Sequence, residues 1–303
     1  MSNFSGIWIP LVTPFAADGS VDESALRRLV KLYAEAGVAG IVALGTTGEP
    51  SSLDAHEQEA VLAATLDAAR GALPVIAGVS GNNARSMRER VLRLNALPLA
   101  GLLISAPYYV RPSQAGIAAH FEMLADASEH PVALYDIPAR TGVRIEPDTL
   151  LSLAAHPRIQ AVKDCAGSLD TTHTLILDGR LQVLAGDDIR IFDTLCMGGS
   201  GAIAASAHVW PQRFVALERA LKTGRLDEGR ALFHALVPLI RLLTSEPNPA
   251  PVKAALATLG LIENELRAPM TRASESLRER LADMIGAHDL PDLRTCFAHL
   301  SGR

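Results

Sequence analysis

The chain carries only four lysines, Lys31, Lys163, Lys222 and Lys253, and one of them closes an apolar run. Residues Ile159–Asp164 read IQAVKD, the pattern of a short buried strand that ends on an amine. Burial disfavours an ammonium ion, so it should depress the pKa of Lys163 and leave a neutral amine able to add to a carbonyl. The same position also reads as a buried lysine paired with Asp164 or Asp187. The other three have plainer settings. Lys31 lies among alternating charges, Lys222 at a helix end where a cation suits the dipole, and Lys253 early in a C-terminal helix.

Three further features suit carbonyl chemistry. The loop Gly45–Glu49 (GTTGE) follows the second apolar run, and its backbone N–H groups and the hydroxyls of Thr46 and Thr47 could hold a carboxylate or phosphate. It also reads as a plain turn in which Glu49 helps the next helix to start. Of four tyrosines, Tyr108, Tyr109 and Tyr135 fall at the ends of apolar runs, where a phenol can relay protons or simply cap a rim. Arg140, in Arg140-Thr141-Gly142, could grip a carboxylate through two parallel hydrogen bonds, or form a surface ion pair.

Other chemistries lack their parts. The nine histidines are scattered, without the spacing of a zinc site. No Gly-x-Gly-x-x-Gly or Walker loop occurs, nor the Gly-x-Ser-x-Gly of a serine hydrolase. We therefore expect neither a metal nor an organic cofactor. Gly198-Gly199-Ser200-Gly201 reads as a tight helix-to-strand turn.

The elements that must position these residues repeat. Apolar runs at Ile7–Val12, Gly40–Leu44, Pro74–Gly78, Gly101–Ile104, Val132–Tyr135, Ala161–Lys163, Gln182–Ala185 and Ala202–Ala204 are too short for helices. Unbroken apolar character suits parallel strands buried on both faces. Helical stretches lie between them, among them Asp22–Ala36, Asp54–Ala69 and Ser113–Glu129. Eight strand–helix units predict a closed (β/α)8 barrel, with reactive groups at the C-terminal ends of its strands. From about Gly224 the pattern becomes purely helical, at Leu226–Leu243, Ala250–Gly260 and Ser274–Gly286. We expect a catalytic barrel over 1–224 and a small helical domain over 225–303.

Composition bounds the setting. The 303 residues carry 33 acidic and 28 basic side chains, a net charge of −5, which argues against nucleic acid or an anionic membrane as partner. No apolar stretch is long enough to span a bilayer, and the N-terminus lacks the pattern of a signal peptide. The three cysteines, Cys165, Cys196 and Cys296, are widely spaced and form no disulfide framework, so a cytoplasmic location is expected.

The segments GTTGE (45–49), APYYVRPSQ (106–114), YDIPARTG (135–142), VKDCAGS (162–168), AGDD (185–188), GAIAAS (201–206), NPAPVKAAL (248–256) and LRAPMT (266–271) run almost end to end. Together they resemble the dihydrodipicolinate synthase and N-acetylneuraminate lyase family of class I aldolase-like barrels. The resemblance implies that Lys163 forms a Schiff base with pyruvate and that Tyr135 carries protons beside it. It implies that Thr46 and Thr47 hold the pyruvate carboxylate, with Gly186 and Ile203 close to it. Within the family, the branch that joins pyruvate to aspartate semialdehyde fits best. Thr46, Tyr135 and Tyr109, the last lent by a neighbouring subunit, would form its proton relay, and Arg140 would bind the acceptor's carboxylate. A homotetramer built as a dimer of dimers is implied as well.

Two positions depart from the family pattern, which usually has Asn at Asp136 and Ser at Pro50; neither removes a catalytic group. Asn82 and Tyr108 match ligand positions of lysine-inhibited relatives. Ala55 and Gln58 stand where those relatives carry histidines, and Ser86 where they carry Glu, so weak or absent lysine inhibition is expected. The alternatives are another pyruvate-dependent aldolase or dehydratase of the scaffold, acting on 2-keto-3-deoxy sugar acids or on sialic acid, and a barrel retained for regulation without catalysis.

Overall fold

The computed structural model describes residues 4–287. Its elements follow the chain as β1 (Gly6–Pro10), α1 (Glu23–Glu35), β2 (Gly40–Ala43), α2 (Ala55–Ala69), β3 (Val75–Val79), α3 (Ala84–Leu94), β4 (Gly101–Ser105), α4 (Gln114–Ala127), β5 (Val132–Asp136), α5 (Pro138–Thr141), α6 (Pro147–Leu153), β6 (Ile159–Asp164), α7 (Leu169–Asp178), β7 (Gln182–Ala185), α8 (Ile191–Cys196), β8 (Gly201–Ile203), α9 (Pro211–Lys222), α10 (Leu226–Leu243), α11 (Ala250–Thr258) and α12 (Glu275–Ala287). The eight strands are parallel and pair in sequence order, and β8 closes on β1. This is the expected (β/α)8 barrel.

The local chemistry explains where the helices start. Asp22 caps α1 by accepting from the Ala25 N–H at 2.8 Å. Asp54 and Glu57 form a reciprocal capping box on α2. Ser113 and Ser168 cap α4 and α7 by accepting from the Gly116 and Thr171 N–H groups. The residues 198–201 make the turn from α8 into β8, as their composition suggests.

The strands are buried on both faces, so two apolar regions form. The inner one fills the barrel with Phe4, Trp8, Val42, Ile76, Leu103, Ala133, Ala161, Leu184 and Ile203, and Tyr135 lies at its upper edge. The outer one lies between strands and helices and extends into α10, α11 and α12. Gly40 makes room for the indole of Trp8, because a Cβ there would lie 2.2 Å from the ring. After α9 every labelled element is a helix, and α10 packs on α9. Among the described residues no helix is long and apolar enough to cross a membrane. Cys296 lies outside the described residues.

Candidate active site

Strand register sets the centre of the site. Ser105, Tyr135 and Lys163 are successive partners across β4, β5 and β6. Side chains alternate along a strand, and Leu103, Ala133 and Ala161 point into the barrel. The three residues two positions further on therefore face inward as well, at the C-terminal mouth. The Lys163 amine lies 4.4 Å from the centre of the Tyr135 ring. Both side chains are buried.

Gly186 explains how Lys163 fits. Its N–H donates to the Asp164 carbonyl at 2.9 Å. A Cβ at this position would lie 2.3 Å from Cys165 Sγ and 2.9 Å from Lys163 Cγ. Any side chain there would displace the lysine.

The charge of Lys163 differs from the sequence expectation. Burial does pull its pKa down, and it is the largest single influence. The facing groups Tyr135, Cys165 and Asp188 together outweigh it, so the ammonium is held above the ordinary lysine range. The expected depression is thus overturned, because the side chain is desolvated among groups able to carry negative charge. Asp188, beyond the Asp164 and Asp187 considered from sequence, is the carboxylate with the strongest pull here, and the amine also draws on Asp187. The Asp188 oxygens accept from the Ala205 and Ser206 N–H groups at 3.2 and 2.6 Å. Burial raises the Tyr135 phenol, while Lys163 and the Thr46 hydroxyl pull it back.

The GTTGE loop sits beside this pair. Thr46–Gly48 form a single 3-10 turn after β2, and Thr13 anchors it by donating to the Gly48 carbonyl at 2.7 Å. Thr46 lines a cavity of about 490 Å³ together with Ser105, Tyr108, Tyr135 and Arg140. Thr47 is buried, and its hydroxyl accepts from the Asn248 amide at 3.0 Å. Arg140, on α5, is exposed at the cavity and donates to the Asn248 carbonyl at 3.4 Å. Ile203 ends β8 inside the barrel, in the same apolar cluster as Tyr135. Of the expected residues, Thr46, Tyr135 and Arg140 line this cavity; Lys163, Thr47, Gly186 and Ile203 lie outside its lining, and Tyr109 is 86 % exposed.

Backbone strain gathers at the same mouth. Among the described residues, Leu44, Glu49, Tyr109 and Arg111 are the non-glycine residues with positive φ. All four lie on the loops after β2 and β4, and such strain persists only where neighbours enforce it.

The contacts that hold Glu49 come from a segment whose role was hidden in the sequence. Glu49 does not start α2; Asp54 does. Glu49 instead pairs with Lys253 on α11, Nζ to Oε1 2.5 Å, both fully buried. Lys253 also donates to the Glu265 carbonyl at 2.9 Å and lies over the Phe15 ring at 4.0 Å. Burial brings its pKa down to about 8 against the opposing pull of Glu49. A lysine inside the apolar run PVKAAL was the available signal. Breaking one partner of such a buried pair costs about 3–5 kcal/mol.

Asp136, next to Tyr135, is a second buried acid. It is 1 % exposed, and burial pushes its carboxyl up to about 7; the Ile145 N–H opposes this and Asp164 adds to it. A carboxyl whose folded pKa lies above the ordinary 3.8 binds its proton more tightly when folded. Its contribution is fully present below that ordinary value and is lost as the pH rises through about 7. Asp136→Asn keeps an acceptor for Ile145 and removes the charge. Thermal unfolding should show the variant a few degrees more stable at pH 8, with the difference vanishing near pH 4.

Among the described residues no group of three or more His, Cys, Asp and Glu side chains is placed to hold a metal ion.

Comparison with known proteins agrees with this geometry. The model of the dihydrodipicolinate synthetase family matches residues 3–288. The 4-hydroxy-tetrahydrodipicolinate synthase of Syntrophus aciditrophicus is 39 % identical over 280 residues, 92 % of this chain and 96 % of that one. The enzyme of the same name from Haloarcula marismortui is 37 % identical over 299 residues, 98 % of this chain and 97 % of its own. The crystal structure of dihydrodipicolinate synthase from Aquifex aeolicus superposes with a TM-score of 0.92 at 32 % identity, over 95 % of this chain and 99 % of that one. The chloride-inhibited enzyme from Acinetobacter baumannii complexed with pyruvate gives 0.91 at 34 % identity, over 94 % and 98 %. With the barrel, the lysine–tyrosine pair and this similarity along nearly the whole chain, the protein belongs to the dihydrodipicolinate synthetase family.

Proposed function

We propose that the protein is a lyase that condenses pyruvate with L-aspartate 4-semialdehyde through an imine on Lys163, as 4-hydroxy-tetrahydrodipicolinate synthase in the route to diaminopimelate and lysine. The observation that carries this reading is the contact of Lys163 with Tyr135 at the barrel mouth, where Tyr135 lines the cavity that Thr46 and Arg140 also line.

The resting amine is protonated, so the first event is loss of its proton by way of Tyr135 and Thr46. The free amine adds to the pyruvate ketone, and water leaves to give a cationic imine. That imine accepts the electron pair released when a methyl proton departs, which gives an enamine. Thr46 and Thr47 hold the pyruvate carboxylate, with Gly186 and Ile203 bounding the space around it. The enamine carbon attacks the aldehyde, whose oxygen takes up a proton from the relay. Arg140 holds the acceptor's carboxylate. The acceptor's own amine then attacks the imine carbon and displaces Lys163, closing the ring. Borohydride added with pyruvate should leave a reduced adduct on the Lys163 peptide by mass spectrometry; no adduct there ends the reading.

The exposed segment Tyr108, Tyr109 and Val110 supports a subunit contact that carries Tyr109 into a neighbour's cavity. Leu169, Leu177 and Ile189, on and after α7, are further exposed apolar side chains that a second subunit contact would cover. Two such contacts favour a homotetramer, a dimer of dimers, and sedimentation velocity should return four times the chain mass. We read residues 1–224 as the catalytic barrel and 225–303 as the helical domain. Free thiols at Cys165 and Cys196 suit a cytoplasmic enzyme.

Gln58 is committed within the protein, donating to the Pro50 and Leu53 carbonyls and accepting from Arg90. The nearby guanidinium also disfavours a cationic amino acid. The inhibition constant for L-lysine should therefore lie above about 1 mM in a steady-state assay.

A further inference from the structure

Ser105 ends β4, one strand further from Lys163 than Tyr135 is. It is 4 % exposed and lines the cavity. Its hydroxyl is buried without a hydrogen-bond partner. A buried donor left unpaired costs stability, so such groups call for an explanation. Its backbone does not supply one, since that is bonded to the ring of His120.

The location narrows what the hydroxyl can meet. Lys163 fixes the imine carbon of bound pyruvate, and the Thr46–Thr47 turn stands at the β2 side of the mouth. Neighbouring strands are about 4.8 Å apart, so Ser105 stands roughly one strand spacing beyond Tyr135. There it lines the cavity on the side of Tyr135 away from Lys163, between the tyrosine and the Thr46 turn. As the carbon–carbon bond forms, the aldehyde oxygen gains negative charge and needs donors.

We propose that Ser105 is a catalytic residue of the acceptor half of the site, donating its hydroxyl hydrogen to the acceptor's aldehyde oxygen as it becomes an alkoxide, beside the Tyr135 phenol. The enamine electron pair makes the new carbon–carbon bond, the carbonyl π pair moves to oxygen, and the proton that finally quenches it comes from the tyrosine relay. Ser105 keeps its own proton throughout. This assignment rests on the Schiff-base reading of Lys163.

The test is Ser105→Ala in the full-length enzyme. Three readouts are taken: borohydride trapping with pyruvate, steady-state kinetics with aspartate semialdehyde, and thermal unfolding. Trapping and the pyruvate KM should match the unaltered enzyme. kcat/KM for the aldehyde should fall about 10-fold or more. The melting temperature should hold or rise, because the variant loses an unpaired buried donor. Acceptor kinetics within twofold of the unaltered enzyme overturn the assignment. So does a fall in melting temperature with parallel loss for both substrates, which marks a packing role. Absence of trapping in the unaltered enzyme would instead sink the Schiff-base reading, and the two failures are thus distinct.

Discussion

Lys163→Ala should lower turnover by at least about 10³-fold while leaving the barrel folded, because the nucleophile that makes the imine is gone and no other described lysine lines the cavity. Among the described lysines only Lys253 is also buried, and Glu49 holds it. The variant should give no borohydride adduct with pyruvate. Circular dichroism checks the fold, and a coupled assay with pyruvate and aspartate semialdehyde checks the rate. Retained activity in a folded variant would refute the proposed chemistry outright. Tyr135 and Thr46 remain in place in that variant, so a loss is not explained by the proton relay.

Arg140→Ala should act on one substrate alone. A guanidinium holding a carboxylate is worth about 3 kcal/mol, so kcat/KM for aspartate semialdehyde should drop roughly 10²-fold. Pyruvate trapping should be unaffected, because Arg140 lies exposed on α5 and Lys163 is buried on β6. A panel of aldehydes sharpens the result. Acceptors without a carboxylate should lose almost nothing. A uniform loss across the panel would mean that Arg140 merely braces the loop through its bond to the Asn248 carbonyl.

The barrel was readable because its strands are apolar on both faces and its helices begin at capping residues such as Asp22, Asp54 and Ser113. The edges of β6 were less so. Polar Gln160 interrupts the apolar run, yet the strand begins at Ile159. Lys163 and Tyr135 could each be picked out by type and position. That they touch depends on the pairing of β5 with β6, which spacing along the chain does not encode. The direction of the Lys163 shift was misread for a related reason. Burial is legible in an apolar run, whereas the groups that surround a side chain in space, here Tyr135, Cys165 and Asp188, are not. Asn248 lies 201 residues from Thr47, and no local pattern announces such a bond. Ser105 falls just past the apolar run Gly101–Ile104, and only the absence of a partner for its hydroxyl sets it apart.

The buried Glu49–Lys253 pair and the Asn248 bonds to Thr47 and Arg140 tie both substrate-facing loops to the chain that enters and begins α11. The barrel and its helical appendage are therefore not interchangeable modules. A transplanted barrel would keep Lys163 and Tyr135 yet lose the outside grip that holds its loops in shape. Engineers recombining such enzymes should move residues 248–253 with the barrel mouth, even though that stretch reads as part of the other half.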